Sequence, residues 1–231
     1  MSNTRTAQDA PAAAVPASTR RQLRMTAKVT ALIGGPLFWL GTVLHPARDG
    51  DSIAAAGQRY GLTHDVQAVG LLLQMISLAS MIALGTRTNG RRDLRAWYAA
   101  LTGTLLWFGL IVFDGSHNPV MALYKPHIVH TTDDLDAGAS FIVFPALLFF
   151  PIGYALLARM LARHAMRWTG VLLGVGALLY TIGGVFIFTS GPRLPLIQIF
   201  EVVGAGLYAL GFLLLGRASG NTAVAVTTAP R

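Results

Sequence analysis

Six stretches of mainly apolar residues divide the chain. A membrane-spanning helix needs about 20 predominantly apolar residues, because the hydrocarbon core of a bilayer is about 30 Å thick. The four later stretches contain almost no charge apart from Asp114 and Glu201. The pattern predicts an all-α, polytopic bundle of six transmembrane helices, over residues 29–45, 65–85, 96–115, 138–158, 168–189 and 195–215.

The segments outside these stretches are short or polar. Most connections leave no room for a soluble domain, so residues 29–216 are predicted to form one six-helix transmembrane domain. Residues 1–28 are rich in Ala, Thr, Ser and Pro, and residues 217–231 are also polar. Low hydrophobicity of this kind is typical of disordered segments, so we expect two disordered cytoplasmic tails.

The basic residues favour one orientation of this bundle. With both termini inside, 14 of the 18 Lys and Arg residues fall in inner segments, as the positive-inside rule requires. An arrangement with five or seven spans would put a basic loop on the wrong side. We therefore predict a cell-membrane protein with cytoplasmic termini, whose net charge of +8 faces the anionic lipids of the inner leaflet. The basic residues of the outer segments are Arg48, Arg59, Lys125 and Arg193.

Composition disfavours several classes of protein. Only 12% of the residues are charged and 53% are hydrophobic, whereas soluble domains carry about 25% charged residues. A soluble enzyme, a disordered regulator and a nucleic-acid-binding protein are therefore disfavoured. The chain has no cysteine, which removes disulfides, thiolate metal sites, iron–sulfur clusters and cysteine nucleophiles. The predicted partners are the lipid bilayer and an apolar small molecule; the sequence carries no signal for an oligomeric state.

Short patterns of glycine and aromatic residues recur between the stretches. Residues 35–41 (GPLFWLG), 103–109 (GTLLWFG) and 176–180 (GALLY) resemble one another, and residues 64–70 resemble 198–204. The similarity favours three helical hairpin repeats, the alternative being chance matches among common membrane residues. The spacing Gly170-x-x-x-Gly174 predicts a close helix-packing face.

Polar residues within the stretches crowd the predicted outer ends. Ionisable groups are costly in a bilayer and are functional candidates by default. Helical spacing places several on common faces, and if these faces turn inward they form an outward-facing pocket with aromatic walls. The polar candidates are His45, His64, Asp65, Gln67, Gln74, Asp114, His117, Gln198 and Glu201; the wall candidates are Trp39, Trp107, Phe108, Tyr180 and Tyr208.

Each candidate also has a structural interpretation. Glu201 is the strongest functional candidate, and its alternative role is a buried hydrogen bond to His64 or Gln67. Asp114 could instead be a helix end that reaches water, and His45 a helix-stop residue at the headgroup level. The residues of the longest loop are predicted to be solvated: His127, His130, Asp133 and Asp134.

These residue types suit acid catalysis on an apolar substrate. Desolvation raises the pKa of a carboxyl group, a second group can hold or return the proton, and aromatic faces attract a developing cation. We therefore predict acid-catalysed cyclisation or isomerisation of a prenylated, terpenoid or other apolar small molecule, with no cofactor and no metal. The predicted catalytic residues are Glu201, Asp114 and His64. The predicted substrate-binding residues are His45, Gln67, Gln198, Trp39, Trp107, Tyr180 and Tyr208.

The size, helix number and intramembrane acids of residues 29–216 resemble those of small integral-membrane terpene cyclases of meroterpenoid and indole-terpenoid pathways. That resemblance implies an enzyme that protonates a prenylated substrate with intramembrane carboxylates, and it transfers no individual residue. The chain also resembles uncharacterised six-span proteins of high-GC bacteria, through Leu44-His45-Pro46 at the end of the first stretch and Asp114-Gly115 at the end of the third.

Two other functions fit parts of the pattern. A haem- or metal-binding redox protein would use His45, His64 and His117, which come from three spans at one level. A transport or assembly subunit would suit three hairpin repeats, although transporters usually place their sites near the membrane midplane. The chain contains no nucleotide-binding motif, so ATP-driven pumping by this chain alone is disfavoured.

Overall fold

The computed structural model describes residues 16–85, 90–191 and 195–221, and these are entirely helical or irregular, without a strand. A π-helical turn, Leu135–Ala139, joins two of the helices, and Gly138 bends the chain there with φ 121°. The eight α-helices are α1 (Ala17–Val43), α2 (Gly50–Ala56), α3 (Gln58–Gly85), α4 (Arg91–Tyr124), α5 (Thr132–Asp134), α6 (Ser140–Arg163), α7 (Arg167–Ser190) and α8 (Pro195–Asn221).

Five of these helices are long and apolar enough to cross a membrane: α3, α4, α6, α7 and α8. They contain the last five of the six predicted stretches, except that residues 138 and 139 lie in the π-helical turn before α6, so the chain has the character of a multi-pass membrane protein. Residues 29–43 of the first predicted stretch lie in α1, and residues 44 and 45 follow its end. Helix α1 is 27 residues long but is not among the five. Its first half carries Arg20, Arg21, Arg24 and Lys28, which lower its mean hydropathy.

The ends of the helical domain differ from the sequence prediction. Residues 17–28, predicted to be disordered, form the first turns of α1. Pro16 precedes the helix, and the Arg, Gln, Leu and Ala residues that follow are good helix formers. Helix α8 likewise runs past residue 217 to Asn221. Residues 1–15 and 222–231 of the predicted tails lie outside the described residues.

The six long helices form a closed ring in chain order, and α8 packs back against α1. Neighbours in the ring are antiparallel: near one end of the α1–α3 pair Ser77 Oγ donates to the Ala27 carbonyl, and near the other Gln67 Nε2 donates to Thr42 Oγ1. The C-terminal ends of α1, α4 and α7 therefore lie at the same end of the ring as the N-terminal ends of α3, α6 and α8. We call the end where α1 stops and α3 starts the polar end, and the opposite end the basic end.

Aromatic side chains fill the centre of the ring. Tyr180 contacts Phe38 and Trp107, with ring centroids 5.0 and 5.3 Å apart. Tyr208 contacts Tyr154 at 4.9 Å, and its hydroxyl lies 2.8 Å from Gln74 Oε1 and 2.6 Å from the Tyr154 hydroxyl. These polar atoms satisfy one another in the interior, as buried polar groups must. Because aromatic side chains fill the centre of the ring, a binding site has space to form only towards the polar end.

Glycines allow the ring helices to approach closely. In the α7–α8 hairpin, a Cβ added at Gly176 would lie 2.4 Å from the backbone nitrogen of Tyr208, and one added at Gly204 would lie 2.4 Å from that of Tyr180. The predicted packing face in α7 is confirmed, since a Cβ at Gly170 would lie 2.6 Å from the Ala158 carbonyl oxygen of α6. Small residues at crossings of this kind let membrane helices associate through backbone contact.

This close approach gives a prediction for the α7–α8 crossing. We expect Gly204→Ala to destabilise the protein by about 1–3 kcal/mol, the usual cost of overpacking, because the new methyl group would meet backbone that cannot rotate away. Gly61→Ala in α3 is the matched control, since its Cβ would lie 3.6 Å from the nearest heavy atom. Unfolding of the purified protein in detergent measures both variants; equal stabilities would contradict the prediction.

Candidate functional site

A cluster of buried polar side chains occupies the polar end of the ring. Its members come from the loop after α1, from α3, α4, α5 and α8, and from the loop between α4 and α5, so six separate segments meet there. Burying so many polar groups is costly unless each finds a partner. The cluster comprises His45, Arg48, Tyr60, His64, Asp114, Asn118, His130, Asp134 and Glu201.

An ion pair between Arg48 and Glu201 joins the loop after α1 to α8. Arg48 Nε lies 2.8 Å and Nη2 lies 2.5 Å from Glu201 Oε2, and the two residues are only 8% and 4% exposed. Burial alone would lower the pKa of Arg48, but the Glu201 carboxylate outweighs it and raises that pKa above the usual arginine value. Glu201 therefore has a fixed cationic partner at the point where the ring closes.

The Asp114 carboxylate accepts from donors on three sides. The Tyr60 hydroxyl lies 2.8 Å from Oδ1, His64 Nε2 lies 3.0 Å from Oδ2, and His130 Nε2 lies 3.2 Å from Oδ1. The side-chain amide of Asn118, one helical turn along α4, donates to Oδ1 as well. Charge-assisted hydrogen bonds of this kind are about twice as strong as neutral ones, so Asp114 is the centre of the cluster.

The partners of each histidine indicate which of its nitrogens carries a proton. His45 Nδ1 lies 2.6 Å from the Pro46 carbonyl oxygen, whereas its Nε2 lies 3.2 Å from the Arg48 guanidinium, a donor. This fits a neutral ring protonated at Nδ1, and burial followed by the Arg48 charge holds the pKa of His45 well below 6.5. The loop after α1 therefore carries a neutral histidine, His45, next to the fixed positive charge of Arg48.

His130 has the opposite surroundings. Its Nδ1 lies 2.8 Å from the Arg48 carbonyl oxygen and its Nε2 faces the Asp114 carboxylate, so acceptors face both nitrogens. Burial lowers the pKa of His130, but the charge and hydrogen bond of Asp114 outweigh burial and raise the pKa above 6.5. His130 is therefore the imidazole of this loop that holds an extra proton.

Charge balance supports the same protonation. The cluster contains one guanidinium and three carboxylates, and Asp134 also accepts from the His130 backbone N–H at 3.2 Å and faces His117 Nε2 at 3.4 Å. Uncompensated buried charge is strongly unfavourable, so a protonated His130 offsets part of the excess negative charge. The cluster therefore keeps a protonated imidazole beside its carboxylates.

A narrow cavity of about 50 Å³ lies against this cluster. Its polar lining includes Asp114, His130 and Glu201, and its apolar wall includes Trp107 and Phe188. A cavity of this size admits a small number of water molecules. Among the described residues, Trp107 Nε1 and Asn118 Oδ1 are buried without a hydrogen-bond partner, so the lining is not fully satisfied by protein groups.

Comparison with known proteins finds no relative. No family model matches the chain, and neither a curated protein nor a solved structure matches it.

The three predicted catalytic residues lie in this one region. Asp114 and Glu201 both line the cavity, and His64 contacts Asp114 from α3. Among the predicted substrate-binding residues, Trp107 and Tyr180 line the cavity. His45 belongs to the polar cluster, and Gln67 is buried one turn along α3, hydrogen-bonded to Thr42.

Three predicted substrate-binding residues lie elsewhere. Trp39 is on the outside of the ring and is 42% exposed, because the apolar positions of α1 surround the helix and do not define its inner face. Tyr208 belongs to the aromatic core. Gln198 is exposed at the start of α8 and lines a separate hollow beside Glu201.

The sequence prediction missed five members of the cluster. Nothing in the hydropathy pattern marks Asn118 or Tyr60 as a site residue, and the pattern identifies Arg48 only as a basic residue of an outer segment. His130 and Asp134 were predicted to be solvated but are 5% and 3% exposed, because the loop folds back over the end of the ring. Glu201 pairs with Arg48 and not with His64 or Gln67 as the structural alternative supposed. The density of His and Asp in residues 127–136 was the available signal for a buried loop.

The histidines are not arranged as expected for a haem or metal site. His45 and His64 contact each other directly, with Nε2 atoms 3.4 Å apart, which leaves no space for a macrocycle between them. His117 stacks on Phe113 and faces Asp134. Within residues 16–85, 90–191 and 195–221, no group of three or more His, Asp or Glu side chains has a geometry that could hold a metal ion.

The two loop histidines predict a stability maximum near pH 6.5. Because the folded-state pKa of His130 is raised, its stabilising contribution is complete below about pH 6.5 and is lost as pH rises through the folded value. Because the folded-state pKa of His45 is lowered, the stabilising contribution of His45 is present above about pH 6.5. That contribution is lost as pH falls towards the folded-state pKa.

The variant His45→Phe should therefore flatten the acid side of the stability profile. His127→Phe, in the exposed part of the α4–α5 loop, should leave it unchanged. Unfolding temperatures of the detergent-solubilised protein between pH 5 and 8 check this pair; an acid side that is unaltered by His45→Phe would refute the assignment of a low pKa to His45.

Proposed function

We propose that the chain crosses the cell membrane six times with both termini in the cytoplasm, and that α1 is the sixth span. The position of α1 supports this, because it packs between α3 and α8 and completes the ring. The basic end carries the arginines that the positive-inside rule assigns to the cytoplasm, including Arg24, Arg95, Arg163 and Arg217. The polar end then faces the outside.

Three hairpin repeats belong to the same proposal. Each hairpin, α1–α3, α4–α6 and α7–α8, crosses at a glycine of its first helix, Gly34, Gly103 and Gly176. The residue four positions after each of these glycines is a buried aromatic: Phe38, Trp107 and Tyr180. In the first hairpin these residues lie one position before the Gly35 and Trp39 of the sequence pattern, so the correspondence is one of packing, and it favours a repeated unit.

The proposed activity is acid–base catalysis on an apolar small molecule whose reactive group enters the cavity. One observation carries it: a carboxylate with two imidazole partners, Asp114 with His64 and His130, lies at a cavity whose other wall is aromatic and aliphatic. A positioned proton donor or acceptor typically contributes about 10²- to 10⁴-fold to a reaction rate. An apolar wall excludes water from a reactive cation.

Each part of the site has a role in this chemistry. Asp114 and His130 hold and return the proton at the cavity, with His64 orienting Asp114 from α3. Glu201 remains paired with Arg48 and acts as a fixed anion at the cavity wall. The ring faces of Trp107 and Tyr180 stabilise positive charge that develops on the substrate.

The size of the cavity distinguishes between the two predicted reactions. A space as narrow as this one, about 50 Å³, admits one functional group and a few carbons. Folding a polyprenyl chain into a polycycle needs the whole chain inside the site. The geometry therefore favours isomerisation of a double bond, with the remainder of the substrate in the outer leaflet, over cyclisation.

A transport function receives less support from the same geometry. The aromatic core of Phe38, Tyr154, Tyr180 and Tyr208 fills the ring below the cavity. A polar solute would have to pass between these packed rings to cross the membrane. The cavity is therefore placed for chemistry at one side of the bilayer.

Deuterium transfer from solvent tests the proposed activity on a mixture of membrane lipids. In a double-bond isomerisation, a solvent deuteron bonds to one carbon and a proton leaves a neighbouring carbon, so the product gains one mass unit in D2O. The purified protein in nanodiscs is incubated with isoprenoid alcohols, quinones and sterols extracted from its host membranes. A product with one carbon-bound deuterium is expected; if no component is labelled above a protein-free control, the proposal fails.

A further inference from the structure

A second hollow lies on the other side of the Arg48–Glu201 ion pair. It has a volume of about 260 Å³, and its lining includes Thr42, His45 and Gln198. Arg48 and Glu201 line both this hollow and the cavity beside Asp114. The ion pair is therefore a partition between the two spaces, and we call the second hollow the vestibule.

A chain of titratable groups passes around this partition. His45 lines the vestibule, and its Nε2 lies 3.4 Å from His64 Nε2. His64 Nε2 lies 3.0 Å from Asp114 Oδ2, and Asp114 lines the cavity. Each neighbouring pair is within or close to hydrogen-bond distance, so the chain is continuous from one space to the other.

We propose that His45 and His64 are a proton relay that connects the vestibule to Asp114. This inference rests on the proposed function, because a solvent deuteron that is incorporated into the substrate must first reach the catalytic acid from solvent. It assigns to His45 a role in proton supply and not in substrate binding, since His45 does not line the cavity.

The hydrogen bonds of the two rings determine how the proton moves. Nδ1 of His45 is held by the Pro46 carbonyl at 2.6 Å, and Nδ1 of His64 by the Tyr60 carbonyl at 2.9 Å. The Nδ1 protons therefore stay in place and the Nε2 atoms face each other. The Nε2 proton of His64 passes to Asp114 Oδ2, and His45 Nε2, which takes a proton from vestibule water, passes that proton to the vacated His64 Nε2. A proton released by the substrate returns along the same atoms in reverse order.

The surroundings of His45 make it a point of transit. The groups that face it are the Arg48 guanidinium, the His64 ring, the Tyr60 ring and, at longer range, the Asp114 carboxylate. Burial and the Arg48 charge disfavour a proton that stays on His45, whereas Asp114 attracts it onward. The locked Arg48–Glu201 pair occupies the direct route between the vestibule and the cavity.

Exchange of the His130 ring proton with D2O tests the relay without a substrate. The full-length protein with ¹⁵N-labelled histidine is placed in nanodiscs, and loss of the His130 Nε2–H signal is followed after transfer to D2O. We expect His45→Phe, which keeps a ring but removes its nitrogens, to slow this exchange by at least about 100-fold, the lower end of the range for a lost proton-transfer group. His45→Gln, which keeps an amide in place, should do the same if the phenylalanine variant does not fold. His127→Phe is the control and should exchange at the wild-type rate.

Catalysis gives a second readout. In the deuterium-transfer assay, His45→Ala should lower kcat and leave KM unchanged, and added imidazole should restore the rate by carrying protons into the space that the side chain occupied. Wild-type exchange rates in both His45→Phe and His45→Gln would overturn the relay, as would a His45→Ala defect that imidazole does not rescue. If the wild-type protein transfers no deuterium, the proposed function fails, and the exchange experiment still decides the relay.

Discussion

Replacing Arg48 with methionine is expected to destabilise the protein by about 3–5 kcal/mol, the usual cost of removing one partner of a buried ion pair. The substitution leaves Glu201, which is 4% exposed, without its cation. The cluster has three carboxylates, those of Asp114, Asp134 and Glu201. Among the described residues, Arg48 is the one whose guanidinium contacts any of them. Denaturation of the purified protein in detergent micelles measures the loss.

The double variant Arg48→Met, Glu201→Met should recover most of this stability. Replacing a buried pair by apolar side chains of similar volume is often neutral or stabilising. Arg59→Met is the matched control, because Arg59 is exposed at the same end of the bundle and should change stability by no more than about 0.5 kcal/mol. A single Arg48→Met variant as stable as Arg59→Met would show that the ion pair does not hold α8 to the loop.

Replacing Asp114 with asparagine is expected to reduce deuterium transfer by about 10²- to 10⁴-fold, the range for loss of a general acid–base group. Asparagine has nearly the same shape and still accepts a hydrogen bond, but it neither carries a proton nor balances the charge of His130. The rate of label incorporation per molecule of folded protein measures the effect.

Asp65→Asn is the control for Asp114→Asn, because Asp65 is exposed in the first turns of α3 and makes no described contact with the cluster. It should transfer deuterium at the wild-type rate. An Asp114→Asn variant within about twofold of wild type would remove Asp114 from the reaction, since even a weak general catalyst contributes more than that.

The sequence was sufficient to predict most of the helices. Runs of apolar residues about 20 long have few alternatives in a bilayer, where every backbone group must be satisfied within a helix. The exception was the start of α1, where Arg20 and Arg24 suggested a solvated tail. Arginine is a good helix former, so the helix continues through these residues. A prediction from composition alone does not take this helix propensity into account.

The site was predicted in part, for a physical reason. Asp114, His64 and Glu201 could be found because a polar residue in an apolar span is costly and must have a purpose. Arg48 and His130 lie in loops, where a charged residue is ordinary and gives no such signal. Arg48 reaches Glu201 across 153 residues of sequence, and only the closure of the ring brings them together.

The choice of inner face also limited the sequence prediction. Trp39 and Trp107 occupy matching positions in the repeated pattern, but Trp107 is buried and Trp39 faces outward. A membrane helix is apolar on all sides, so periodicity separates its faces poorly. Phe38, the neighbour of Trp39, takes the inner position because Gly34 lies one turn before it at the crossing with α3.

The most direct test of this account is the protonation of His130, measured by the ¹⁵N chemical shifts of its ring through a pH titration. Asp114 keeps an extra proton on His130 beside the cavity, so the midpoint should lie above about 6.5, the unperturbed histidine value. In Asp114→Asn, burial is no longer offset and the midpoint should fall below that value. A wild-type midpoint below about 6.5, or one that Asp114→Asn leaves unchanged, would contradict the account.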